Sequence, residues 1–199
     1  ALNAAILPKM LETAIQTERA VRSLGVSSPL VVMRSDGGAM DIAEMKKRPI
    51  LTLLSGPAAG VAAALMSAKV ADGLFLEVGG TSTDISCIQN GHPSVRMARI
   101  GEHRLYLNTL DVRTVGVAGG SMARVEGGRV RGVGPRSAHI AGLRYAAFAQ
   151  AQEIAGAAAR FFSPLPSDPP HYLGLEAPGA AQGWTLTPTC AVNALGLVA

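Results

Sequence analysis

A short apolar run interrupted by two glycines and three hydroxyls constrains this chain more than any other stretch. Residues 74–78 read Leu-Phe-Leu-Glu-Val, Gly79 and Gly80 follow, then Thr81, Ser82 and Thr83, and beyond Asp84 the residues Ile85, Cys87 and Ile88 resume an apolar strand. Two glycines permit a turn with positive φ and leave its backbone without Cβ cover, so the segment predicts a β-hairpin. Its tip is unusual. Hydroxyl donors at Thr81, Ser82 and Thr83 stand beside unshielded N–H groups, an arrangement open to a phosphate. Glu77 and Asp84 bracket the turn, and two carboxylates flanking a phosphate-sized gap suit a magnesium ion that bridges phosphate oxygens and water. An ordinary hairpin, with its glycines serving only the turn, has the same spacing.

The run 77–86 resembles the second phosphate-binding hairpin of the actin-like ATPase superfamily. More closely, it resembles the Asp-Val-Gly-Gly-Thr-Ser-Thr-Asp motif of the hydantoinase A/oxoprolinase family, with Glu77 standing where that family usually has Asp. Further runs occur in the order that family has them: Ser35-Asp36-Gly37-Gly38, Leu54-Ser55-Gly56-Pro57-Ala58-Ala59-Gly60, Asp111-Val112-Arg113-Thr114, Gly119-Gly120-Ser121 and Gly134-Pro135-Arg136-Ser137-Ala138. Each is weak alone, and together they span most of the first 140 or so residues.

The resemblance implies an α/β fold, an actin-like ATPase (ribonuclease H-like) lobe with a mixed sheet and flanking helices, with residues 1–199 forming part of a core domain. It also implies ATP hydrolysis coupled to opening a cyclic amide, or in relatives to carboxylation, with ATP and magnesium as cofactors. In that reading Gly79, Gly80, Thr81, Ser82 and Thr83 hold phosphate, while Glu77 and Asp84 hold magnesium and position the attacking water. Gly119, Gly120 and Ser121 line the cleft, although Ala118 replaces a third glycine common in the family. The implied partners are an N-terminal lobe carrying the first phosphate motif upstream of Ala1, a hydantoinase B-like subunit and a small-molecule cyclic amide. An actin-like ATPase acting as a switch or reactivating chaperone shares the hairpin. The Ser-Gly-Pro-Ala-Ala-Gly and Asp-Val-Arg-Thr runs favour the hydantoinase branch.

Other classes lack support. The net charge is +4, but Lys and Arg are scattered and aromatics make up 4%, so the basic stripe with stacking rings that nucleic acid requires is missing. The loop 116–121 has neither a P-loop Lys nor a dinucleotide fingerprint, and no Gly-x-Ser-x-Gly elbow exists. His92, His103, His139 and His171 make no metal-ligand spacing with one another or with Cys87 and Cys190. Two widely separated cysteines, no charged leader before an apolar run, and an Ala-rich stretch too broken to span a bilayer predict a reduced, cytoplasmic protein with no membrane role. A start at Ala1 inside a helical pattern predicts a fragment.

Along the chain, apolar residues from Ile6 to Leu24 recur at helical spacing, with Gly25 as the stop. A strand over 30–33, a short helix capped by Asp41 and ended by Pro49, and a small-residue helix capped by Ser55 or Gly56, with Pro57 in its first turn, running to about Ala71 follow. Asn90-Gly91 predicts a turn that folds 95–99 back on the preceding strand, giving three antiparallel strands over 74–99. Strands are expected around Leu105 to Leu107 and over 110–115, and a hairpin through Glu126-Gly127-Gly128. Residues 146–160 read as a helix, the Pro- and Gly-rich stretch 163–181 as an exposed loop, 184–186 as a strand, and 190–197 as the start of an apolar helix.

Overall fold

A computed structural model describes residues 1–197. Its contacts divide the chain into two units, Ala1–Phe75 with Ile85–Arg113, and Leu76–Asp84 with Thr114–Ala199.

The first unit opens with helix α1, Leu2–Ser23, closed by Leu24 and by Gly25 at φ 80°. Strands β1, Val31–Met33, and β2, Ala39–Asp41, pair antiparallel. Helix α2, Ile42–Lys47, starts where the Asp41 carboxylate accepts the Glu44 N–H at 2.7 Å, which satisfies one of the four orphan donors of a helix start. Ala14 of α1 packs with Met40, Met45 and Leu51 in one cluster, and Lys46 bridges α2 to Glu18 at 2.6 Å. A 3-10 turn, Pro49–Thr52, leads to helix α3, Ser55–Ala68. Leu54, in the left-handed region at φ 59°, precedes it without a side-chain cap, so neither Ser55 nor Gly56 caps this helix, and Lys69 ends it short of Ala71. Ala58 and Val61 are fully buried against Leu110 and Val112, with Met33, Leu65 and Phe75 alongside. Burying a valine side chain contributes about 1.5–3 kcal/mol.

Strands β3, Gly73–Val78, and β4, Thr83–Gln89, form the predicted pair, with β5, His92–Pro93, antiparallel to β4. The expected third strand is different. Only His92 and Pro93 return along β4, whereas β6, Val95–Ile100, pairs antiparallel with β7, His103–Leu110, in a separate two-stranded sheet. The Ser94 N–H still donates to Cys87 O of β4 at 3.1 Å, and the chain leaves that strand beyond Ser94. Strand β8, Val112–Val115, joins β4.

The second unit is built on the hairpin of β9, Ser121–Glu126, and β10, Arg129–Ser137. After β11, Arg144–Tyr145, come a 3-10 turn, Ala146–Phe148, and one helical turn, α4, Ala151–Ile154. The helix expected over 146–160 is therefore largely absent. Gly156, at φ 72°, stops it, and β12, Ala158–Phe162, pairs antiparallel with β13, Tyr172–Glu176. Strand β13 lies inside the stretch expected to be an exposed loop, and its Tyr172, Leu173 and Gly174 are buried. Strand β14, Trp184–Thr185, pairs antiparallel with β13 and parallel with β11, which makes the sheet mixed. Helix α5, Pro188–Ala194, begins earlier than predicted, capped by Thr187. The sheet order is β10-β9-β13-β14-β11, and Met122, Ala138 and Tyr172 form its core.

Candidate functional site

Two glycine-bearing turns of the second unit lie side by side. The Gly119 N–H donates to Gly79 O at 3.1 Å and the Gly120 N–H to Gly80 O at 2.8 Å. Within the first turn, the Gly79 N–H donates to Ser82 O at 3.0 Å. Among the described residues the amides of Gly80, Thr81 and Ser82 have no backbone acceptor, so three successive donors are left for a ligand. Neither Gly79 nor Gly80 has positive φ, contrary to the sequence expectation. Close approach is shown at Gly79 and, across the junction, at Gly120 instead. A Cβ on Gly79 would stand a tight 3.3 Å from Ser82 O, and one on Gly120 would stand 2.6 Å from Gly80 O, closer than side-chain carbons come to a backbone oxygen.

The hydroxyls divide their work. Thr81 is exposed and Ser82 half-buried. Thr83 Oγ1 donates to Val117 O at 2.6 Å, tying the hairpin to the second loop. Ser121 is fully buried and its Oγ accepts the Ala118 N–H at 2.8 Å, so it closes its own loop. Thr189, at the start of α5, donates through both N–H and Oγ1 to Gly119 O, at 3.1 and 2.8 Å. An apolar groove of about 600 Å³ adjoins this junction, lined among others by Val78, Thr83, Gly119, Phe148, Thr189 and Val192.

The carboxylates sit on the other face. Val78 and Thr83 both line the groove, and successive residues of a strand point to opposite sides, so Glu77 and Asp84 share the face away from it. Asp84 is half-buried, and Thr114 Oγ1 donates to its Oδ1 in a short hydrogen bond that orients the carboxylate, with no partner on Oδ2 among the described residues. Glu77 is exposed. Among the described residues no group of three or more His, Cys, Asp and Glu could hold a metal by itself. Glu77 and Asp84 give this face two carboxylates, and magnesium binds through one or two carboxylates with water and phosphate oxygens completing its shell.

The loop 116–121 rests on the segment that follows it. A Cβ on Gly116 would meet Pro135 at 2.8 Å, and the carbonyl of Gly134 accepts from the buried Tyr172 hydroxyl at 2.9 Å. Next along, Arg136 Nε donates to both oxygens of Asp168 at 2.8 and 2.9 Å, and Asp168 also accepts the Leu165 N–H. The hydrogen bond from Arg136 holds the Asp168 carboxyl below its ordinary value of 3.8, against the opposing effect of burial. Of the Asp-Val-Arg-Thr run, Asp111 pairs with Arg96 at 3.1 Å and Thr114 with Asp84. Sequence reasoning missed Thr114 as the partner of Asp84, Thr189, Tyr145 and the Arg136–Asp168 pair. Only the family order of the runs containing Thr114 and Arg136 hinted at any of them.

The hydantoinase/oxoprolinase family model matches residues 1–199. Caprolactamase subunit alpha of Pseudomonas jessenii is 28% identical over 141 residues, covering 69% of this chain and 20% of that protein. Uncharacterized protein MJ0964 of Methanocaldococcus jannaschii is 28% identical over 134 residues, 59% of this chain and 20% of that one. Among solved structures, the nucleotide-free structure of acetone carboxylase, described under ATP-dependent acetone carboxylation, matches with TM-score 0.54 and 25% identity over 64% of this chain and 18% of that one. The chain thus spans about a fifth of the length of the curated relatives it matches. Among the described residues no helix is long and apolar enough to cross a membrane.

Proposed function

The chain belongs to the hydantoinase/oxoprolinase family and has its α/β, actin-like ATPase lobe fold, and from this premise we propose that it is the nucleotide-phosphate-binding core of an ATP-dependent enzyme that opens cyclic amides. The observation that carries the reading is the joined pair of glycine turns, which leaves the amides of Gly80, Thr81 and Ser82 free beside an oriented Asp84. The three amides, with the Thr81 and Ser82 hydroxyls, bind the terminal phosphate of ATP. Asp84, held by Thr114, and Glu77 on the same face are the residues that would hold magnesium, which supplies charge neutralisation at the phosphate oxygens when bound. The Oδ2 of Asp84 orients water or metal so that charge compensation is in place before the transition state forms. Gly119 and Gly120 keep the second loop close enough to hold the first in shape, and Ser121 acts through that loop.

Turnover belongs to the full-length protein. The family's first phosphate motif has no counterpart among residues 1–199, and an open hairpin holds its ligand at high dielectric, where preorganised donors stabilise least. The caprolactamase relative is named as a subunit, and we infer a hydantoinase B-like partner and a lactam, hydantoin or oxoproline substrate for the whole enzyme. Phosphate release by the full-length protein, with its partner subunit, tests the reading. ATP hydrolysis stimulated by a cyclic amide and lost in Asp84→Asn is the expected result. Stimulation by unfolded protein clients instead would establish the switch or chaperone reading.

A further inference from the structure

Tyr145 lies where the two glycine turns meet. Its backbone pairs in parallel with Thr185, its ring packs on the core of Met122, Ala138 and Tyr172, and it stacks on Phe148 with centroids 5.7 Å apart and planes 17° from parallel. These contacts hold the ring and so orient its hydroxyl. A Cβ on Gly120 would stand 2.0 Å from that hydroxyl, and one on Gly80 would stand 3.8 Å from it. The phenol oxygen thus occupies the space that a side chain on Gly120 would take and lies in ordinary contact distance of one on Gly80. A buried tyrosine hydroxyl normally finds a partner, and Tyr172 does so at Gly134 O. Tyr145 as a residue is half-buried, and its hydroxyl, which is not one of the buried unpaired atoms, makes no hydrogen bond to protein among the described residues and is left open to solvent or a ligand.

We propose that Tyr145 is a binding residue of this site, its hydroxyl donating a hydrogen bond to the anionic oxygen held by the amides of Gly80, Thr81 and Ser82. The inference rests on the reading of that turn as a phosphate cradle. A neutral phenol adds a directional O–H donor beside three N–H donors, and hydrogen bonds to an oxyanion are about twice as strong as neutral ones. It also gives Gly120 a reason beyond backbone pairing, since any side chain there would displace the donor.

The test is calorimetric titration of the full-length protein, wild type and Tyr145→Phe, with magnesium ATP and separately with inorganic phosphate, alongside the 13Cζ resonance of Tyr145. The expected result is a loss of about tenfold or more in affinity for both probes, with thermal unfolding unchanged, and a shift of the resonance when either probe is added to wild type. Should Tyr145→Phe unfold, the wild-type resonance decides alone. An affinity change under twofold with an unshifted resonance overturns the proposal and leaves the ring as a spacer, in which case only Tyr145→Ala loses stability. Tyr145-dependent binding of phosphate without binding of ATP would sink the nucleotide reading and keep this one. Wild-type protein that binds neither probe would sink both.

Discussion

Two of the Gly-Gly turns between strands in the second unit, at 79–80 and 127–128, are glycine for different reasons. Gly127 and Gly128, at φ 57° and 72°, turn the hairpin of β9 and β10 in the left-handed region, and a Cβ on either would meet nothing within 4 Å. Gly79 and Gly80 have no positive φ, and their neighbours Gly119 and Gly120 lie so close that side chains would strike Thr189, Tyr145 and the backbone. The 127–128 glycines serve conformation, whereas the 79–80 turn is packed against Gly119 and Gly120, where glycine serves proximity. The dipeptide is the same in sequence, and only the second use leaves free amides facing a place where a ligand can come.

The largest effect is expected where chemistry is removed from one turn and its counterpart from the other. Asp84→Asn in the full-length protein is expected to lower ATP turnover about a hundredfold or more while changing nucleotide affinity much less, because the carboxylate acts on charge that develops in the transition state. Glu126→Gln, which removes the carboxylate beside the other Gly-Gly turn, leaves turnover unchanged. Steady-state kinetics with separate binding measurements check both, and equal losses of rate and binding in Asp84→Asn would make it a ground-state ligand instead.

Steric pressure comes next. Gly120→Ala forces a Cβ to within 2.6 Å of Gly80 O and 2.0 Å of the Tyr145 hydroxyl. The turns must part, at a cost of about 2–3 kcal/mol in stability and with loss of nucleotide binding, readable by denaturant unfolding and calorimetry. Gly128→Ala costs about 1–2 kcal/mol through its left-handed φ alone and leaves binding intact, and Gly128→Asn recovers most of that cost because Asn tolerates this region. Equal penalties at Gly120 and Gly128 would break the distinction between the turns.

What the sequence made legible follows the same division between local and non-local causes. The α1 periodicity, the Asp41 cap and the Gly127-Gly128 turn are local, and each stands close to where the pattern puts it. The segment 158–162 was hidden because alanines favour helix locally, whereas pairing with β13 across an intervening loop decides the matter for Arg160, Phe161 and Phe162. Tyr172 was hidden likewise, since prolines on either side announce a loop and only its seat under Met122 and Ala138 makes it core. At the candidate site the run 77–84 and Gly119-Gly120 were visible as composition. That Gly120 pairs with Gly80, and that Tyr145 lies against both, depends on contacts 25 or more residues apart, for which no local pattern exists.

The smallest expected effect is a difference in how the two turns respond to acid. The loop 116–121 leans on Pro135, and the adjoining Arg136 is held by Asp168, while the 127–128 turn has no neighbour within reach of its glycines. The Asp168 carboxyl lies below its ordinary value of 3.8, chiefly through the Arg136 hydrogen bond. A carboxyl depressed by folding binds protons more readily when unfolded. Its contribution to stability is therefore complete above the ordinary value and is lost as pH falls through the lower folded one. Amide hydrogen exchange between pH 5 and pH 2.5, corrected for intrinsic rates, is expected to show protection at Gly119 and Gly120 falling faster than at Gly127 and Gly128. Asp168→Asn should remove the excess by lowering Gly119 and Gly120 protection already at pH 5. If all four amides lose protection together, the support runs through the whole sheet, and the contrast between a turn held by its neighbours and one held by its own φ angles does not extend to stability.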